Sequence, residues 1–401
     1  MNSPSLLKDE NEQSSVRAIA SRIFDELDSQ LTQDIEKRLQ ESVQNNVAPS
    51  HNSWIRGACT RDSEYKPSRQ CAYFDLHGFL LVPSFAHASQ VSAMKQQMET
   101  LVDEEWDPSG EKGPTVFRTD DKQIDEQGSD DYFLESSNKV HFFAEPRAMT
   151  KEGRFNQDFL DDKILALNKA GHGMHVCPGA FHDYTTSSNV RELVKELGWV
   201  DPVVPQSMYI FKQAIIGGEV TSHQDSTFLY TTPKQSCLGL WLALDDATIT
   251  NGCLWVRPGS HLEPTRIKFV KNAQHFGEEA IQTRSNIAKG DLTKSQMVFI
   301  DEPPGPNSKT IDWVGKIPDI DGCETPWDSL FAAGFVPVEC KAGDLVIFPG
   351  ELDHLSLPNT SEHQRHTFQL HMVEGEGAGV EWAATNWLQY PKGTPFLRIN
   401  E

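Results

Sequence analysis

Two apolar periods divide the chain. From Val16 onward, Ile19, Ile23, Leu27, Leu31, Ile35, Leu39 and Val43 recur every three or four residues among polar neighbours, which predicts an amphipathic helix. No a/d heptad is sustained, so the helix is expected to pack on its own domain rather than to dimerise. Ala86 to Val102 repeats the helical pattern with Val91, Met94, Met98 and Leu101, and residues 160–200 read as helical up to Leu197-Gly198. The remaining apolar runs are short. Phe74–Pro83, Lys139–Phe143, Ser207–Lys212, Ser222–Phe228, Leu238–Leu244, Leu254–Val256, Phe335–Val338, Gly343–Phe348 and Arg365–Met372 read as strands, with Asn251-Gly252 as a hairpin turn. The pattern predicts a mainly β protein with flanking helices, built on a double-stranded β-helix (jelly-roll, cupin-like) core. Residues 1–70 form an N-terminal extension with a polar start, the helix and a linker over 46–70. Residues 71–401 form the core domain, interrupted at about 272–335 by an irregular insertion containing Pro303-Pro304-Gly305-Pro306, a loop or lid.

Charge narrows the partners. The formal charge of -22 argues against nucleic acid and against anionic membrane surfaces, both of which need a basic footprint, while leaving room for a local basic pocket. The acidic stretch 120–131 reads as a solvated loop. Seven scattered cysteines without a CxxC pair read as reduced thiols. No apolar run approaches the ~20 residues of a membrane span. With neither a signal-peptide pattern nor a C-terminal peroxisomal tripeptide, a cytoplasmic location is expected.

The candidate chemistry sits at two places. His223 and Asp225 are two apart, so on an extended strand both point to one face and can reach one metal ion. Far downstream, His354 follows the strand Gly343–Phe348, and Arg365 opens the next strand eleven residues later. Two histidines with one carboxylate form the facial triad of non-haem Fe(II) oxygenases, and the planar fork of Arg365 suits a carboxylate co-substrate. His363 and His366 compete for the distal position but lack the eleven-residue spacing. His371 shares a face with Arg365, Thr367 and Gln369, where it either lines a substrate pocket or is a hydrogen-bonded core histidine. His261 has the same two readings.

Several ordered motifs carry a resemblance. Gln206–Gln213, His223–Tyr230, Asp246-Ala247-Thr248 through Asn251–Trp255 to Pro258-Gly259-Ser260-His261, with Asp75–Phe79 and Asn386-Trp387-Leu388 at the two ends, resemble the phytanoyl-CoA dioxygenase family, in particular its domain-containing protein branch. The likeness spans roughly 72–393. It implies a dioxygenase that uses Fe(II), 2-oxoglutarate and O2, with ascorbate as a possible support, to hydroxylate a C–H bond of a small organic or lipid-like substrate, yielding succinate and CO2. By resemblance, His223, Asp225 and His354 are the catalytic iron ligands. Arg365 and Ser356 hold the distal carboxylate of 2-oxoglutarate, and Lys139, Met208, Gln224 and Trp241 line its pocket. Asp225 stands where related halogenases carry Gly or Ala, which implies hydroxylation. The first seventy residues and the long insertion depart from the pattern and leave the substrate open. The rival readings are a catalytically silent β-helix serving as a binding or regulatory module, and a cupin-type metalloenzyme in which Arg365 would have no role.

Overall fold

The computed structural model describes residues 10–45, 69–109, 113–117, 130–273, 288–289 and 296–399. Most of the expected 46–70 linker and of the acidic stretch 120–131, and part of the insertion, lie outside these residues.

Two antiparallel sheets form the centre. The larger has the order β1 (Leu80–Val82), β13 (Leu345–Pro349), β7 (Leu238–Ala243), β15 (Thr367–Glu374), β4 (Pro202–Ile210), β3 (Leu167–His172) and β2 (Val140–Ala144), with β17 (Leu397–Arg398) also on β4. The smaller has the order β12 (Val336–Val338), β8 (Leu254–Val256), β14 (His354–Ser356) and β5 (Val220–His223). The period of two decides what each face does. On β15, Phe368, Leu370 and Met372 join the outer core, while Gln369 and His371 line the cavity between the sheets. The outer face is covered by α3 (Ala88–Glu105), α5 (Ala180–Thr185) and α6 (Ser188–Glu196), which contribute Met94, Met98, Phe181 and Val190.

A second core lies behind the smaller sheet. Here α1 (Glu10–Asn45) buries Val16 and Leu27 with Trp255, Phe348, Leu355 and Trp327 of α7 (Pro326–Ala332). Arg17 pairs with Glu339 at 2.8 Å, and His77, in α2 (Arg69–His77), bonds the Leu27 carbonyl at 3.0 Å. The N-terminal helix therefore packs on the core domain. A further short helix, α4 (Asp131–Leu134), precedes β2.

Three expectations are corrected. The helical reading of 160–200 missed β3, whose Leu-Asn-Lys-Ala-Gly-His sequence alternates poorly because both its faces are covered. Asn251-Gly252 closes no hairpin, since β7 and β8 belong to different sheets. The insertion is not a bare loop. Its β10 (Ala288–Lys289) and β11 (Met297–Asp301) build a three-stranded sheet with β9 (Ile267–Lys271). A two-stranded pair, β6 (Thr231–Thr232) with β16 (Glu381–Trp382), completes the sheets.

Candidate active site

Strand register creates the centre. His354 on β14 is the direct cross-strand partner of His223 on β5, and their rings lie 4.2 Å apart. His223 ends its strand, and Asp225 opens a short 3-10 turn, so the chain bends between them instead of running on as a strand. The bend still presents the carboxylate to both rings, with Oδ1 3.4 Å from His223 Nε2 and 3.7 Å from His354 Nε2. One ligand atom from each of the three residues lies within 4.8 Å of the others. Below them, Gly239 leaves the necessary room, because a Cβ there would stand 2.9 Å from the Phe348 ring and 3.3 Å from Asp225 Oδ2.

The tautomers suit a cation. His223 Nδ1 donates to the Thr221 carbonyl at 2.8 Å, and His354 Nδ1 donates to the Leu352 carbonyl at 3.0 Å. Each Nε2 is left facing the centre, where it would ligate a cation. Burial, helped by neighbouring His223, lowers the His354 pKa to about 4, which keeps that ring neutral and able to ligate. Burial would raise the Asp225 carboxyl, but His371 and His354, with hydrogen bonds from His223 and His371, outweigh it and hold the group ionised, well below the usual carboxylate range. For His223, burial lowers the pKa, but the hydrogen bond and charge of Asp225 more than offset it and raise it. His371 Nε2 donates to Asp225 Oδ2 at 3.1 Å, so this histidine orients the carboxylate from the cavity wall.

The triad opens on a cavity of about 430 Å³. Met208, Gln224, Trp241, Ser356 and Arg365 all line it. Arg365 is only 2% exposed; among the described residues its Nε has no partner, its Nη1 reaches Thr367 Oγ1 at 3.3 Å, and its guanidinium lies 5.3 Å from the Trp241 ring. Among the described residues no carboxylate pairs with it, and burial lowers its pKa to about 10. Gln224 is fully engaged: its amide donates to the Glu351 and Pro264 carbonyls and accepts from the Arg266 N–H. It joins loops more than it faces a ligand.

Lys139 is corrected. It sits just before β2, half exposed, 3.5 Å from Glu135, and does not line the cavity. A lysine that does line it is Lys169 on β3, opposite Ile210 in the register, with Nζ 3.4 Å above the Phe117 ring and burial holding its pKa well below the usual value. Lys212, within the Gln206–Gln213 motif, and Glu145, outside any motif, also line the cavity. Lys212 Nζ donates to the Gly218 and Leu357 carbonyls, and burial lifts Glu145 to about 7. His261 bonds the Asp75 carbonyl and His366 bonds Tyr209 OH, both away from the cavity. His363 is exposed.

A facial two-histidine, one-carboxylate centre with a buried arginine beside it, set between two sheets of a β-roll, defines the class of non-haem iron, 2-oxoglutarate-dependent oxygenases. Comparison with known proteins gives the family. The phytanoyl-CoA dioxygenase family model matches residues 74–367. "Phytanoyl-CoA dioxygenase" of Arabidopsis thaliana is 35% identical over 84% of this chain and 96% of its own. "Phytanoyl-CoA dioxygenase 1" of Oryza sativa subsp. japonica is 38% identical over 80% and 92%, and "Phytanoyl-CoA dioxygenase domain-containing protein 1" of Rattus norvegicus is 36% identical over 84% and 98%. The chain belongs to the phytanoyl-CoA dioxygenase family. Solved structures with a similar chain path are the epimerase SnoN in complex with Fe3+, alpha ketoglutarate and nogalamycin RO (14% identity, 82% of this chain and 90% of that one, TM-score 0.46) and EctD from S. alaskensis with 2-oxoglutarate and 5-hydroxyectoine (16% identity, 81% and 82%, TM-score 0.45). Among the described residues, no helix is long and apolar enough to cross a membrane.

Proposed function

We propose that this oxygenase hydroxylates a C–H bond of a small organic or lipid-like substrate, with 2-oxoglutarate as co-substrate and succinate and CO2 as co-products. The observation that carries this reading is the triad together with a buried guanidinium that has no carboxylate partner among the described residues, both lining one cavity. His223, Asp225 and His354 would hold Fe(II), and Arg365 with Ser356 would hold the distal carboxylate of 2-oxoglutarate. When bound, the iron and its co-substrate supply the O2-activating, decarboxylating chemistry.

The chain's own residues bind, orient and exclude water. Arg365, stacked near Trp241, fixes the co-substrate by a directional grip on its carboxylate. Phe117, Phe133, Phe228, Phe299 and Trp387 give the cavity an aromatic wall that supports an apolar substrate. Asp225 fills the place of a third protein ligand, which favours hydroxylation over halogenation.

The test is succinate formation from 2-oxoglutarate by metal-free protein supplied with Fe(II) and O2, followed by a screen for substrates that gain one oxygen atom. We expect succinate with the native chain and its loss in His223→Ala. Succinate that persists in His223→Ala would overturn the metal assignment, and a product altered without gaining oxygen would overturn hydroxylation.

A further inference from the structure

Against the metal-ligand strands lies a buried charge cluster that the reading above leaves unused. Asp353 precedes His354 and is 0% exposed. Its carboxylate accepts from Ser222 Oγ at 2.6 Å, from Arg257 Nε at 3.2 Å and from the Trp313 indole N–H at 3.4 Å, and it pairs with Arg266 Nη2 at 3.1 Å. Its backbone N–H donates to Ser260 Oγ, and its carbonyl accepts from the Arg257 N–H. Arg257 also makes two 2.7 Å bonds to Glu263, and Arg266 Nη1 lies 3.5 Å from Glu263 Oε2. Two arginines and two carboxylates thus alternate around a closed ring.

The ring's position matters more than its charge. Ser222 precedes His223 on β5 as Asp353 precedes His354 at the start of β14. The Ser222–Asp353 bond therefore ties β5 to the segment leading into β14, directly beside the two ligand residues. The β14–β5 ladder shifts register between His354 and Ser356, so regular pairing does not continue past the two ligands. A short side-chain bond beside that irregularity can set their separation. The same ring reaches the insertion: Trp313 touches Asp353, and Gly315 and Lys316 exchange backbone hydrogen bonds with Ser222. Breaking a ring of buried charges at one member leaves the others uncompensated.

We infer that Asp353 is a positioning residue for the metal centre, fixing the spacing of His223 and His354 and joining the insertion to them. This rests on the metal reading above. The experiment is a Co(II) titration of the metal-free full-length protein, followed by visible absorption, with thermal melting in parallel. Asp353→Asn is expected to weaken Co(II) binding about tenfold or more, the scale on which groups supporting metal ligands act. Ser222→Ala, which removes only the 2.6 Å bond, is expected to weaken it in the same direction and to alter the Co(II) spectrum. Glu263→Gln, on the far side of the ring, is expected to lower the melting temperature while keeping Co(II) affinity. The inference is overturned if Ser222→Ala and Asp353→Asn bind Co(II) as the native chain does, or if Glu263→Gln loses as much affinity as Asp353→Asn. If Asp353→Asn does not fold, Ser222→Ala decides. A native chain that binds no Co(II) would instead overturn the metal reading itself.

Discussion

A guanidinium costs free energy to bury when no carboxylate stands beside it, and among the described residues Arg365 is held this way where the chain enters β15. The consequence is specific. Arg365→Lys keeps the charge but loses the two-pronged grip, so the 2-oxoglutarate concentration needed for half-maximal succinate formation should rise about tenfold or more, on the scale of a charged hydrogen bond, while Co(II) affinity stays unchanged. Unaltered 2-oxoglutarate dependence would remove Arg365 from the co-substrate site. The lysines give a paired case. Lys169→Met should sharply reduce turnover, whereas Lys139→Met, at the surface, should leave it within about twofold, as surface changes usually do. The reverse order would restore the reading carried over from the family resemblance. That reading failed for a physical reason. Both lysines flank apolar strand segments, and only the antiparallel register of β2 with β3, which sets Phe143 against Lys169, decides which ammonium is enclosed. Arg365 and the triad were legible because their spacing along the chain survives folding unchanged.

Elements show the same division. Strands with clean alternation, such as β7 and β15, could be read directly, because one face meets helices and the other the cavity. β3 could not, since its glycine, alanine and asparagine carry no period. The turn at Asp225 was also hidden: strand geometry correctly placed the two side chains together, but a bend does the work that two pleats were expected to do. For α1 the helical period was plain, and its partner was not, because the surface it covers is assembled from α7, β8 and β12. Leu27, 7% exposed within that second core, tests the contact. Leu27→Ala should lower unfolding free energy by about 2–4 kcal/mol, read from chemical denaturation of the metal-free protein. A change below about 0.5 kcal/mol, the range of surface positions, would show that α1 does not share the core.

At the scale of the whole molecule, a chain of net charge -22 lines its cavity with Lys169, Lys212, Arg266, Lys316 and Arg365 against two carboxylates, Glu145 and Asp225. Basic side chains thus outnumber acidic ones on the cavity lining, which suits an anionic co-substrate. Burial also sets a pH dependence. His175 is lowered to about 3 and His261 and His366 to about 4, chiefly by burial. The unfolded chain, with histidines near 6.5, binds more protons than the folded chain between these values, so stability is fully present above about pH 6.5 and is lost as pH falls toward 4. Burial raises Glu145 and Glu351, which oppose this trend, but the depressed histidines outnumber them. The melting temperature of the metal-free protein should therefore fall steadily from pH 7 to pH 5, and a flat or rising profile would contradict the burial of these rings. Because His223 and His354 meet only across β5 and β14, a growing chain would own no complete proposed metal site until synthesis has passed His354. On the proposed metal reading, capture of the metal would thus be a late event, and a product truncated before His354 or misregistered across β5 and β14 would lack the means to activate oxygen.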